Sequence, residues 1–277
     1  MKTYNASMFD SIKKALNKDE KSNSRKDILR FAPGNTYTVR LLPNVDDLEK
    51  TFFHYFQMGW KSFATGQYIT YTSPSTFGER DPVAEERYKI VRNGTDEEKE
   101  KAKAIIRSEK WLCNALIIDD PVTPENKGTI KVIRYGKQLH KVIDSAINGD
   151  DAAEFGSRVF DLSKEGVNLK IKCESQGDFP TFVSSRFTSP SDLKLSESKI
   201  SELLEGIHDL ESIVTVKSID ELKALFNEHY LITSGSEKAE KAEPKQAAQK
   251  KASAPVEPDS DEPVQDSEIE DMLKDLV

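Results

Sequence analysis

Apolar and polar positions alternate along much of the stretch from residue 28 to residue 190, the period expected of strands with one buried face. Residues 36–42 (Thr-Tyr-Thr-Val-Arg-Leu-Leu) alternate and stop at Pro43-Asn44. Residues 52–56, 68–71 and 111–118 are further runs rich in aromatic and β-branched side chains, which suit a pleated, half-buried surface. Asp119-Asp120-Pro121 reads as the turn that ends the last of these. Residues 124–128 make a polar turn, and residues 129–135 return as the second arm of a hairpin. In residues 167–173 the alternation places Leu169, Ile171 and Cys173 on one face and Lys170 and Lys172 on the other. Helical spacing interrupts the strands at 95–106, 138–147, 198–210 and 218–230, and Ser218-Ile-Asp-Glu221 has the spacing of a capping box. The predicted fold class is α+β, rich in β, with helical insertions.

The two ends read differently. Phe9, Ile12 and Leu16 recur at helical spacing beside Lys13 and Lys14, followed by a polar linker to Arg25. A helix this short is marginal alone and needs a surface, either its own core or a neighbouring molecule. From residue 233 onward Lys, Glu, Ala, Gln, Pro and Ser dominate, a composition that buries too little apolar surface to offset ordering entropy. Three regions are therefore expected: an N-terminal segment (1–25), a core (26–232) and a disordered acidic tail (233–277).

Hydrophobic residues make up 36% of the chain, against about 45–50% in an ordinary globular domain, in keeping with unpacked ends. The formal net charge of −8 by itself argues against a phosphate-bearing partner. Its distribution reverses the inference. Eight acids and one base fall between Asp259 and Val277, leaving about −1 for everything else, so bases can cluster on the core. Cys113 and Cys173 each sit in an apolar strand-like run without metal or disulfide spacing, as buried thiols of a reducing compartment would. The start of the chain lacks a signal-peptide pattern and no apolar run is long enough to span a bilayer, so a soluble intracellular protein is expected.

Catalysis finds no support. The four histidines, His54, His140, His208 and His229, fall in no metal-spaced or nucleophile-activating motif, and no glycine-rich phosphate loop is present. Holding a single nucleic-acid strand asks instead for exposed aromatics interleaved with cations. Lys131, Arg134, Tyr135 and Lys137 lie along the hairpin, and Lys170 and Lys172 occupy a polar strand face. Phe179, Phe182, Arg186 and Phe187 share a loop-like stretch, where the rings either stack on bases or fold over the barrel as core. Trp111 is better read as core. The acidic tail can compete with DNA for a basic groove, and Ile269, Met272, Leu273 and Leu276, at helical spacing, can dock on partner proteins.

Three stretches resemble the single-stranded DNA-binding (helix-destabilising) proteins of T-even-type tailed phages. They are Thr38-Val-Arg-Leu-Leu-Pro43; Lys110 to Gly128 continuing to Ile133-Arg-Tyr-Gly-Lys137; and Gly166-Val-Asn-Leu-Lys-Ile-Lys followed by Phe179-x-x-Phe182 and Arg186-Phe187. The resemblance implies an OB-fold core binding single-stranded DNA cooperatively, in phage replication, recombination and repair, in the cytoplasm of an infected bacterium. By that match Arg40, Arg134 and Lys137 contact the backbone, Lys61 and Arg107 join them, and Phe179 and Phe182 stack on bases. The N-terminal segment would dock on a neighbouring protomer and the tail on replication and recombination proteins. The family's structural zinc is not expected here, because its ligand positions fall on Met58, Ser73, Val83 and Glu86. Packing through Trp60, Phe63, Phe77 and Tyr88 would replace it. The alternative function is a non-catalytic adaptor or DNA mimic that recruits partners through the tail.

Overall fold

The computed structural model describes residues 26–177 and 179–231. The expected N-terminal helix around Phe9, Ile12 and Leu16, and the tail with Ile269, Met272, Leu273 and Leu276, lie outside the described residues. The chain divides into two compact units, one of residues 26–55 and 109–215 and one of residues 56–108 and 216–231.

In the first unit β1 (Asn35–Leu42) is central. It pairs antiparallel with β4 (Ile106–Asp119) on one side and with β6 (Val167–Gln176) on the other. β5 (Ile130–Tyr135) pairs with β4, while β7 (Phe179–Thr181) and β8 (Arg186–Pro190) both pair with β6. Register follows the alternation. Tyr37, Val39, Leu169, Ile171, Cys113 and Ile133 face one core, closed by Leu139, Ile143 and Ala146 of α3 (Lys137–Ile147). Opposite them Leu42 and Leu116 pack with Leu203 of α4 (Glu197–Glu205), and Leu112 and Val132 pack with Leu210 of α5 (Leu210–Ile213). Asn114, buried between these clusters, donates to the His208 carbonyl at 2.9 Å and accepts from its N–H at 3.0 Å, fixing the link between α4 and α5. Cys113 and Cys173 are both buried, and among the described residues neither is in a disulfide. Asp120 ends β4 as expected: Oδ1 accepts from the N–H groups of Val122 and Thr123, and Oδ2 from Asn126.

The second unit holds the pairing of β2 (Phe52–Lys61) with β3 (Tyr68–Thr72), together with α1 (Pro82–Asn93), α2 (Asp96–Ala102) and α6 (Ile219–Phe226). Its core gathers Met58, Trp60, Tyr71, Val83, Leu222, Phe226 and Tyr230. The Ser218–Glu221 capping box opens α6, and Thr95 with Glu98 makes another at α2. In the first unit the helix expected over 198–210 is broken into α4 and α5, and the loop-like stretch from Phe179 forms β7 and β8. Two elements of the second unit also differ from the sequence reading. The helix expected over 95–106 ends at Ala102, because β4 already begins at Ile106. Helix α1 is absent from that reading; its apolar positions are interspersed with five charged ones, and Val83 is its one fully buried residue.

A buried carboxylate organises this unit. Asp81, 4% exposed, accepts from the Tyr71 hydroxyl at 2.9 Å, the Ser73 hydroxyl at 2.5 Å, and the N–H groups of Val83 and Ala84 at 2.9 and 3.2 Å. It is at once the N-cap of α1 and the anchor of the chain leaving β3.

Candidate nucleic-acid interface

Strand β6 and its neighbours build the largest set of expected contacts. Lys170 and Lys172 project from the exposed face of β6, opposite the core. Lys170 lies directly across from Arg186 of β8, and Thr38 and Thr36 of β1 flank the two lysines on the other side. Two cations directly opposite in a ladder repel, and among the described residues neither Lys170 nor Arg186 has an acidic partner within ion-pair distance. Lys172 does have one, Glu174 at 2.7 Å. Along the same face, by the two-residue period, come Glu174 and then Gln176, whose partner across the hairpin is Phe179. Phe179 is 54% exposed. From Lys170 to Gln176 this row is about 20 Å long at the rise of an extended strand, with cations at one end and an exposed ring at the other.

The other rings of this stretch turn inward. Phe182 is 8% exposed and meets Phe31 edge-on at 5.4 Å; Phe187, 6% exposed, packs on Phe155 at 5.6 Å. The reason lies in α3: Gln138 Oε1 accepts from the Phe182 N–H at 2.8 Å and the Thr181 hydroxyl at 3.1 Å, pulling the loop onto the core. Tyr135 is core as well, at 3% exposure. Of the two sequence readings of the loop, burial holds for Phe182 and Phe187.

Arg40 corrects the expectation of a backbone contact. Its side chain is wholly buried, with Nε donating to Asn168 Oδ1 (2.8 Å), Nη1 to the Asp161 carbonyl (2.5 Å) and Nη2 to the Ser191 carbonyl (2.8 Å). The guanidinium joins three chain segments and has no path to a phosphate. Gly166 leaves the room for it, since a Cβ there would overlap both the Asp161 carbonyl and Arg40 Nη1.

The remaining cations are dispersed. Lys131 donates to the Lys26 carbonyl at 3.0 Å, and Arg134 is half-buried on β5. Lys137 opens α3 beside Glu109. In the second unit Lys61 is exposed opposite Tyr68, itself 59% exposed, and the Arg107 guanidinium lies 3.7 Å from the centroid of the Phe56 ring.

A second grouping carried no sequence signal, because its members come from β2, β4, β5 and α3. Trp111 stacks on His140 at 3.9 Å with planes 5° apart, and on the ring of His54 at 4.8 Å. Tyr135 lies 6.2 Å from Trp111 and nearly parallel to it. Glu109 accepts from His54 Nε2 at 3.2 Å and stands 3.6 Å from Lys137 Nζ. The His54 hydrogen bond, followed by the charge of Lys137, holds the Glu109 carboxyl below the usual carboxylate range, against the opposing effect of burial. Burial holds His140 below its ordinary value of 6.5, partly offset by Asp144 and Glu109, with His54 adding to the depression. The unfolded chain therefore binds a proton at this residue before the folded one does, and stability falls as pH drops below about 6.5. Melting temperatures across this range should show that loss, and His140→Phe, which keeps a ring against Trp111, should flatten it.

The family described as "gp32 DNA binding protein like" matches residues 33–233. The chain belongs to that family. It is 26% identical over 197 residues to the single-stranded DNA-binding protein of Enterobacteria phage T4, and 27% identical over 198 residues to that of Enterobacteria phage T2. Each alignment covers 69% of this chain and 64% of the relative, so the chain spans a little under two thirds of their length. The gp32-like family and both relatives are described as binding proteins, not as enzymes.

In this gp32-like chain the four positions implied for zinc do not form a ligand set. Met58 and Val83 are core side chains, Ser73 donates to Asp81, and Glu86 pairs with Lys89 at 2.6 Å on the surface. Among the described residues no three His, Cys, Asp or Glu side chains are grouped to hold a metal. Trp60 and Phe63 pack as the sequence implies, whereas Phe77 is 40% exposed. Among the described residues no helix is long and apolar enough to cross a membrane.

Proposed function

We propose that this protein binds single-stranded DNA cooperatively and largely without regard to sequence. It would serve phage replication, recombination and repair in the cytoplasm of an infected bacterium. The observation that carries the reading is the exposed row on β6–β8: Lys170 and Arg186 opposed with no acid paired to either among the described residues, Lys172 beside them, and Phe179 standing out at the hairpin end. Phosphates relieve the repulsion of the first pair, and a base can stack on the exposed ring. Both relatives are named for binding single-stranded DNA. The sheet of the first unit is read as an OB-type barrel. Lys61, Arg107, Lys131, Arg134 and Lys137 extend the contact, residues 1–25 contact the next protomer, and the acidic tail docks replication and recombination proteins through Ile269, Met272, Leu273 and Leu276.

Titration of intrinsic fluorescence with oligo-dT tests this. Phe179→Ala should weaken binding by about 1–3 kcal/mol, whereas a ring that merely covers the surface would leave affinity unchanged. Lys170→Ala and Arg186→Ala should each flatten the dependence of log affinity on log salt by about 0.7, the share of one phosphate contact on a single strand.

A second reading, an adaptor for protein partners, is favoured by the loop after β1. There Val45 and Leu48 are 51% and 71% exposed amid Asp46, Asp47 and Glu49, and Asn44 Oδ1 fixes the turn by accepting from the N–H groups of Asp46 and Asp47. It predicts no fluorescence change on adding DNA.

A further inference from the structure

Glu109 stands beside Lys137, one of the cations that the DNA reading assigns to the strand. Its two carboxylate oxygens face two different cationic or donor groups: Oε2 accepts from His54 on β2, and Oε1 lies 3.6 Å from Lys137 on α3. Lys137 is the first residue of its helix, and no acid lies in that first turn. A cation there opposes the helix dipole, so the position favours a negative partner. Glu109 supplies one. It is about a third exposed, and it is held in the ionised form by the same neighbours. Beneath it the His54 ring lies on Trp111, and Trp111 on His140.

We infer that Glu109 occupies the place of a DNA phosphate at Lys137 and acts as a built-in competitor that lowers affinity for the strand; this rests on the DNA-binding reading above. An arriving phosphate takes over Lys137 and leaves Glu109 with His54 alone. The protein's grip is thereby weaker than its cations alone would make it, and a strand contact at Lys137 contributes only the difference between two anions. Asp144 is the other acid acting on this cluster, through His140.

The test is oligo-dT binding by the full chain across a range of salt, with Glu109→Gln, Glu109→Asp, Lys137→Ala and the Gln/Ala double variant. Removing one charge at this distance in a wet site should tighten binding about fivefold at low salt. The salt slope should steepen by up to about 0.7, because the phosphate at Lys137 then frees no carboxylate that must take up a counterion. Glu109→Asp, which keeps the charge, should behave like the parent. In the Lys137→Ala background the gain from Glu109→Gln should vanish, because the two residues act as a pair. Unchanged or weaker binding by Glu109→Gln overturns the inference. So does an equal gain from Glu109→Asp, or a gain that persists without Lys137. A parent protein that fails to bind oligo-dT at all refutes the DNA reading itself, a different result from a parent that binds and a variant that does not improve.

Discussion

Arg40→Ala should cost about 3–5 kcal/mol of stability, enough to unfold much of the first unit near body temperature in a protein of ordinary margin. The substitution strands three acceptors inside the protein, Asn168 Oδ1 and the carbonyls of Asp161 and Ser191, each of which was served by a different nitrogen of one planar group. Lysine is a poor replacement, because a single ammonium on a flexible stem cannot reach three acceptors in a fork geometry. Gly166→Ala should reproduce much of the loss without touching the arginine, since the added carbon overlaps the Asp161 carbonyl and the guanidinium together. Denaturant unfolding of both variants measures the effect. The comparison also separates two roles for Arg40. A residue that grips phosphate would lose DNA affinity with the fold intact, while here the midpoint should fall first.

Asp81→Ala carries the second large effect, about 3 kcal/mol, confined to the second unit. The loss combines an N-cap, worth roughly 1 kcal/mol, with buried donors on Tyr71 and Ser73 left without their acceptor. Burial and the Asp81 charge raise the Tyr71 hydroxyl far above its usual range, so it stays a donor at any working pH. Amide hydrogen exchange should show β3 and α1 opening while β1 and β6 stay protected. Addition of a metal chelator to the parent protein should leave the same amides unaffected, because the carboxylate and its donors already join the segments that a metal would otherwise tie.

Much of this architecture was legible from alternation alone. The clean pattern of residues 167–173 placed Lys170 and Lys172 on the open face, because a strand with one buried side admits only one register. Residues 138–147 and the Ser218 capping box were readable for similar local reasons. What escaped had non-local causes. Arg40 sits in a run of buried residues where alternation breaks down, Val39 through Leu42 all being enclosed. Nothing short of the positions of Asp161, Asn168 and Ser191 reveals why a charge can be buried there. Phe182 and Phe179 look alike in sequence, and only Gln138, more than forty positions earlier, decides which of them is drawn inside. The stack of His54, Trp111 and His140 draws on three elements whose proximity no spacing encodes. The start of α1 did leave a trace, Asp81 followed by Pro82, the cap and first-turn residues of a helix.

The facing pair Lys170 and Arg186 ties the protein's own rigidity to its surroundings. Dissolved ions weaken both the attraction of these residues for a nucleic acid and their mutual repulsion. The two effects have opposite signs. If the proposed function holds, a rising salt concentration would loosen the hold on the strand while relaxing the sheet, and a bound polyanion would tighten both. On the proposed function, DNA held along this row would therefore steady the sheet that holds it.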